Sequence, residues 1–165
     1  MSESLQNVDH AALKVNQLVI IVLNIVAFVL NLWWLAAIVT FFMALGTAIG
    51  RPGFFFVYQG VLRPLKLVKP EVHADNPQPH RFAQGFGAVV LLIGTLLLVS
   101  GAAVAGWALV WLVVFLAALN AFAGFCAGCF VYYQLGKLNL PGFGRRPPQG
   151  TFPGLKPRTG PVEHG

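Results

Sequence analysis

Two cysteines stand three residues apart in Gly124-Phe125-Cys126-Ala127-Gly128-Cys129-Phe130, and the chain holds no others. On a helix this spacing puts both sulfurs on one face, within bonding reach after modest adjustment. Such a pair can hold two electrons as a disulfide, carry sulfur as a persulfide, or offer two soft ligands to a metal such as zinc. Simple packing competes with all three, because cysteine is among the residues most often buried as a small apolar group. Gly124 and Gly128 form a small-x-x-x-small face roughly opposite the sulfurs, where a neighbouring helix can approach closely. They also permit a helix break, and a new helix N-terminus beside Cys129 would favour its thiolate. His10, His73 and His80 bring imidazoles from other segments, so Cys126, Cys129, His10 and His80 could together form a mixed Cys/His metal site.

The elements that must position these groups are apolar. Hydrophobic residues make up 57% of the chain and charged residues 10%, whereas soluble domains carry about a quarter charged residues. No Asp, Glu, Lys or Arg lies between Lys14 and Arg51, or between Arg81 and Lys137. Each gap is about twice the roughly 20 residues that cross a hydrocarbon core as helix, so each reads as an antiparallel helical hairpin. The expected architecture is an all-α integral membrane fold. A polar N-tail (1–12) precedes a four-span domain (13–138), with spans near 13–30, 34–50, 81–100 and 104–133 and an interfacial loop over 51–80. A Pro/Gly-rich basic tail (139–165) should remain flexible. The first apolar run continues past Trp34 to Gly46, too long for a signal-peptide core.

An even number of spans puts the N-tail, the central loop and the C-tail on one face, and all eleven Lys and Arg residues fall in or beside those segments. The positive-inside rule makes that face cytoplasmic, which predicts cytoplasmic termini. Trp33, Trp34, Trp107 and Trp111 should mark the far interface, and Tyr58, Tyr132 and Tyr133 the charged one. The net charge of +6 is then topological, and no nucleic-acid partner is expected. In the loop, residues 63–69 mix bases with aliphatics and suit an interfacial segment against anionic lipid. Residues 75–79 read as a solvated turn.

Lys14-Val15-Asn16-Gln17 and Arg81-Phe82-Ala83-Gln84 each put a base three residues before a glutamine at the mouth of a span. This suits either a parallel duplication or coincidence, and Lys14, Gln17, Arg81 and Gln84 are the polar groups expected at the bundle mouth. Within the spans, Gln17, Asn24 and Asn31 share one stripe and Asn120 lies in the fourth span, as interhelical hydrogen-bonding groups do. No ionisable residue sits at depth, which argues against proton-coupled transport but leaves a neutral-solute route open. Five acidic residues, none in a span, argue against hydrolysis.

The segments Asp9-His10-Ala11-Ala12-Leu13-Lys14-Val15-Asn16-Gln17, Asn76-Pro77-Gln78-Pro79-His80-Arg81-Phe82-Ala83-Gln84 and Gly124-Phe125-Cys126-Ala127-Gly128-Cys129 resemble the bacterial membrane family known as domain of unknown function 4395. The resemblance extends to about Phe143, and Gly-Phe-Cys-x-Gly-Cys is its most specific part. It implies a short multi-span protein of the bacterial inner membrane, in a family with no established activity. Thioredoxin-like or sulfurtransferase partners are linked to some members. The resemblance strengthens the thiol-redox or sulfur-relay reading, in which either Cys126 or Cys129 attacks and the other resolves; by position Cys129, nearer the aqueous phase, is expected to be the more accessible. A non-catalytic membrane scaffold is the rival.

Overall fold

The computed structural model describes residues 6–66, 69–138, 142–143, 147 and 150–156. It is helical, with one small sheet. Strand β1 (Gln6–Asp9) leads into α1 (His10–Val29), followed by α2 (Trp33–Ile49) and a short helix α3 (Phe55–Val57) that continues as a π-helical turn over Tyr58–Leu62. Strand β2 (Val72–Asp75) precedes α4 (Pro77–Val99). After α5 (Ala103–Ala118) a second π-helical turn, Leu119–Ala123, leads to α6 (Ala127–Lys137).

Three helical stretches are long and apolar enough to cross a membrane: His10–Val29, Pro77–Val99 and Ala103–Ala123. Helix α2 is apolar but shorter, at 17 residues. The expected turns fall where Asn31 adopts a left-handed φ of 51° and where the chain turns at Gly101. Helix α4 packs against α2, α5 and α6, and α1 packs against α2 and α5. Their shared core is built from Ile20, Val39, Leu91 and Val110 with small residues such as Ala27 and Ala36. Small side chains at contacts let helices approach where lipid supplies no hydrophobic drive between them. Large apolar side chains point outward instead, among them Phe41, Leu96 and Phe115, an arrangement that suits contact with hydrocarbon.

Three expectations are corrected. The region expected as a fourth span over 104–133 is not one helix: α5 passes through its π turn, the chain breaks at residues 124–126, and α6 begins anew. Gly124 is left-handed, with φ 64°, a conformation glycine adopts without steric cost, and it therefore lies outside the helix that carries Gly128. Second, residues 75–79 are not a solvated turn. Asp75 and Asn76 are buried, and Pro77 and Pro79 occupy the first turn of α4, where a missing N–H leaves no helical bond unmade. Third, Tyr58, Tyr132 and Tyr133 are buried rather than at a surface belt. The Tyr58 hydroxyl donates to Asp9 Oδ2 at 2.6 Å, and burial with the Asp9 hydrogen bond pushes the phenol up to about 12.

The N-tail and central loop are tied together. Strand β1 pairs antiparallel with β2, Gln6 opposite Asp75 and Asp9 opposite Val72. Asp9 caps α1 by accepting from the Ala11 amide at 3.0 Å and also accepts from the Glu71 amide at 3.1 Å. Two amide side chains hold the start of the loop: Asn16 Oδ1 accepts from the Phe54 amide at 2.9 Å, and Gln84 accepts from the Gly53 amide and donates to Met43 O. Replacing Asn16 by Ala strands the buried Phe54 amide, which should lower unfolding free energy by about 1–3 kcal/mol in a denaturant titration of the purified protein.

Candidate functional site

The break before α6 builds the site. Cys126 is the N-cap of α6 in extended conformation, and its Sγ accepts from the Cys129 amide at 3.1 Å. The two cysteines are joined as a disulfide, with Cα atoms 5.2 Å apart. Gly128 lies between them against α4, where a Cβ on it would meet the Ala83 Cβ at 2.5 Å. Gly128 is therefore a close-packing point, as its spacing suggested, while Gly124 makes the turn.

The imidazoles come from two other elements. His80, in the first turns of α4, holds Nδ1 3.5 Å from Cys129 Sγ and Nε2 2.9 Å from Asp75 Oδ2. His10, which opens α1, places its Nε2 3.2 Å from the same carboxylate oxygen. The His10 ring lies edge-on to both His73 and His80, with centroids 5.3 and 5.5 Å away. His10 and His80 border the pocket that the cysteine pair also lines, whereas His73 meets His10 and Glu71. Asp75 joins them unforeseen: one acidic residue in a polar loop carries no signal of its own. The Asp75-Asn76-Pro77 sequence does resemble a helix start, which would have put it beside His80.

Burial works to raise the Asp75 carboxyl, but the adjacent His10 and His80 imidazoles and the Asn76 amide outweigh it and hold the group well below the usual carboxylate range. If the His80 proton sits on Nε2 to serve Asp75, Nδ1 presents a lone pair to Cys129. This Cys–His–Asp line can accept a thiol proton and stabilise the imidazolium that results.

Among the described residues two donor sets have the spacing of metal sites: His80 with Cys126 and Cys129, and His10 with Asp75 and His80, the donor atoms of each within 4.8 Å of one another. The first requires the disulfide to be open. A donor set of two thiolates and one imidazole suits zinc but is one ligand short of a closed tetrahedral site.

Both sulfurs are buried, Cys126 at 5% and Cys129 at 3% exposure, so exposure does not single out Cys129. Residues 150–156 of the tail cover the pair. The Cys126 amide donates to Gly154 O at 2.7 Å and the Lys156 amide to Gly124 O at 3.0 Å. Phe152 stacks on Phe130, and Lys156 pairs with Glu71. This part of the tail is packed, contrary to the expectation of a flexible extension; residues 139–141, 144–146, 148–149 and 157–165 lie outside the described ones. Of the expected mouth residues, Lys14 and Gln17 border a cavity of about 570 Å³ shared with His10, Glu71 and Lys156. Arg81 instead donates to Thr47 O and Ala48 O at the end of α2, away from the sulfurs.

The Asp75 shift fixes the sign of an acid response. A carboxyl depressed on folding contributes stability that is complete above its ordinary value of 3.8 and is lost as the pH falls towards the folded value. Between about pH 5 and about pH 3, the wild type should therefore lose unfolding free energy faster than Asp75→Asn, as read by denaturant midpoints across that range.

No curated protein and no solved structure shows significant similarity to the chain. The sequence from residue 8 to residue 137, which spans the helices, both histidine-bearing segments and the cysteine pair, matches one family, and the chain therefore belongs to the family described as Domain of unknown function (DUF4395).

Proposed function

We propose that Cys126 and Cys129 form a working dithiol/disulfide that exchanges electrons or sulfur with a thioredoxin-like or sulfurtransferase partner. The observation that carries this is His80 Nδ1 beside Cys129 Sγ with Asp75 behind it. A purely structural disulfide has no need of a proton acceptor aligned on one sulfur. A partner dithiol attacks the disulfide through a thiolate, giving a mixed disulfide; its second thiol then displaces the chain's sulfur. The partner leaves oxidised, and Cys126 and Cys129 are left as two thiols. One released thiolate is stabilised at the N-terminus of α6 and the other by the His80 imidazolium.

In this reading the chain crosses the bacterial inner membrane four times. Helix α2 serves as a short span of about 25 Å, and the tails and basic loop face the cytoplasm by the positive-inside rule. Arg63 and Lys66 would meet anionic lipid there. A second reading has its own support in the His80, Cys126 and Cys129 donor set: the reduced pair holds zinc.

Cys126→Ser leaves Cys129 to attack alone and should trap a stable mixed disulfide with an oxidised thioredoxin-like protein, visible on a non-reducing gel. His80→Ala added to it should slow alkylation of Cys129 near neutral pH by about tenfold or more, through loss of the proton acceptor. A disulfide that no dithiol opens in the folded protein would leave only a structural cross-link in a scaffold. Stoichiometric zinc in the reduced protein would favour the second reading.

A further inference from the structure

A second cavity meets the disulfide from the membrane side. It has a volume of about 270 Å³ and lies among α1, α2, α4, α5 and α6, with Cys126 in its wall. This is near the lower end of the roughly 300–1,000 Å³ typical of small-molecule sites. Cys126 also borders the His80 pocket, whereas Cys129 borders that pocket and not this cavity. The disulfide is therefore met by the His80 pocket on one side and, at Cys126, by this cavity on the other.

The lining defines the ligand. No charged side chain borders the cavity among the described residues, which excludes nucleotide electron carriers and charged thiol peptides. Its floor is apolar, with Ile20, Val90 and Val113. Phe86 and Val131 also line it, and both are exposed on the outer surface of the helices, so the cavity reaches the face that meets hydrocarbon. Four amide side chains border it: Asn16, Gln17, Gln84 and Asn120. Asn16 and Gln84 hold the loop, whereas the Gln17 and Asn120 amides, which stand between this cavity and the polar one beside Lys14, have no hydrogen-bond partner among the described residues. Asn120 sits in the π-helical turn that packs on α1, and such turns recur at functional sites. An uncharged, lipid-soluble molecule with two carbonyl oxygens would satisfy both amides while its apolar tail leaves between Phe86 and Val131.

We propose that this cavity binds a membrane quinone, which reoxidises the Cys126/Cys129 dithiol. The inference rests on the thiol-exchange reading, since it needs the dithiol which that exchange produces. Two S–H bonds break and one S–S bond forms. The sulfurs lose two electrons and two protons; the quinone takes both electrons, the Cys126 proton and one proton from water at its carbonyl oxygens and leaves as the quinol, while the Cys129 proton departs through His80 to water on the polar side. His80 receives the Cys129 proton on the polar side, while Cys126 passes electrons into the cavity. Electrons thus run from a soluble dithiol on one side of the pair to a lipid-phase acceptor on the other.

The test uses the full chain in lipid nanodiscs, reduced with dithiothreitol, freed of reductant without air, and mixed with decylubiquinone, whose fully substituted ring cannot take up a thiol by addition. The expected result is one quinol per chain at a rate that saturates with quinone. Gln17→Leu with Asn120→Leu should lower the second-order rate about tenfold through loss of two hydrogen bonds, with reduction of the disulfide by dithiothreitol unchanged. A reduced protein that oxidises no faster than a free dithiol peptide, or a double variant with the wild-type rate, overturns the quinone site and leaves the exchange reading standing. A disulfide that dithiothreitol does not open in the folded chain overturns both.

Discussion

An ionised carboxylate can persist in a protein interior only where donors replace the water it has lost, and Asp75 is the buried charge around which this site is arranged. Its neighbours come from three places: His80 in α4 and the Asn76 amide that follows it directly, both within hydrogen-bond reach, and the His10 imidazole at the start of α1, within ion-pair range. Satisfying one side chain therefore fixes the N-terminal segment against the loop and against the mouth of α4. The β1–β2 pairing brings the same segments together through the backbone. One consequence is local and chemical: with Nε2 committed to Asp75, the His80 ring is turned so that Nδ1 meets Cys129.

The break at residues 124–126 is the second constraint. A helix end leaves backbone groups without partners, and such groups are tolerated near membrane depth only when protein covers them. Here they are met in two ways. Cys126 Sγ accepts from the Cys129 amide, and residues 154 and 156 take up the Cys126 amide and the Gly124 carbonyl. The cover over the disulfide is thus also the completion of an interrupted helix, which explains why a segment so rich in Pro and Gly is packed over 150–156. Any partner that reaches the sulfurs must first displace these contacts.

What the sequence made legible follows from which forces act locally. Apolar runs free of charge mark helices because lipid and core select against charge along the whole length, and the turns at Asn31 and Gly101 lie where left-handed backbone was needed. The cysteine pair and its neighbouring histidines were legible from residue type. The sheet was not: Gln6–Asp9 and Val72–Asp75 are four residues each, too short to show an alternation, and each exists only because the other is present. Asp75 was hidden for the same reason, since its role depends on residues 65 positions upstream and five downstream. The repeated Lys14/Gln17 and Arg81/Gln84 spacing had a partial counterpart in space. Both glutamines border the cavity beside Cys126, but Arg81 caps α2 while Lys14 lines the polar cavity on the other side.

The two sulfurs differ in their surroundings more than in their exposure. Cys129 faces imidazole and carboxylate, groups that stabilise charge separation and can carry a proton. Cys126 borders the same pocket but in addition caps a helix N-terminus and lines an uncharged cavity. Opening the bond creates two thiols that would both be poorly solvated in an apolar site. A thiolate at Cys126 can draw on the aligned amides of α6, and the Cys129 proton has an acceptor 3.5 Å away. The pair can therefore be opened without leaving an uncompensated charge in either space. That condition is met only because the chain breaks between α5 and α6: a continuous helix would keep the Cys129 amide in its i to i−4 bond to Phe125 and leave Cys126 Sγ with no backbone donor.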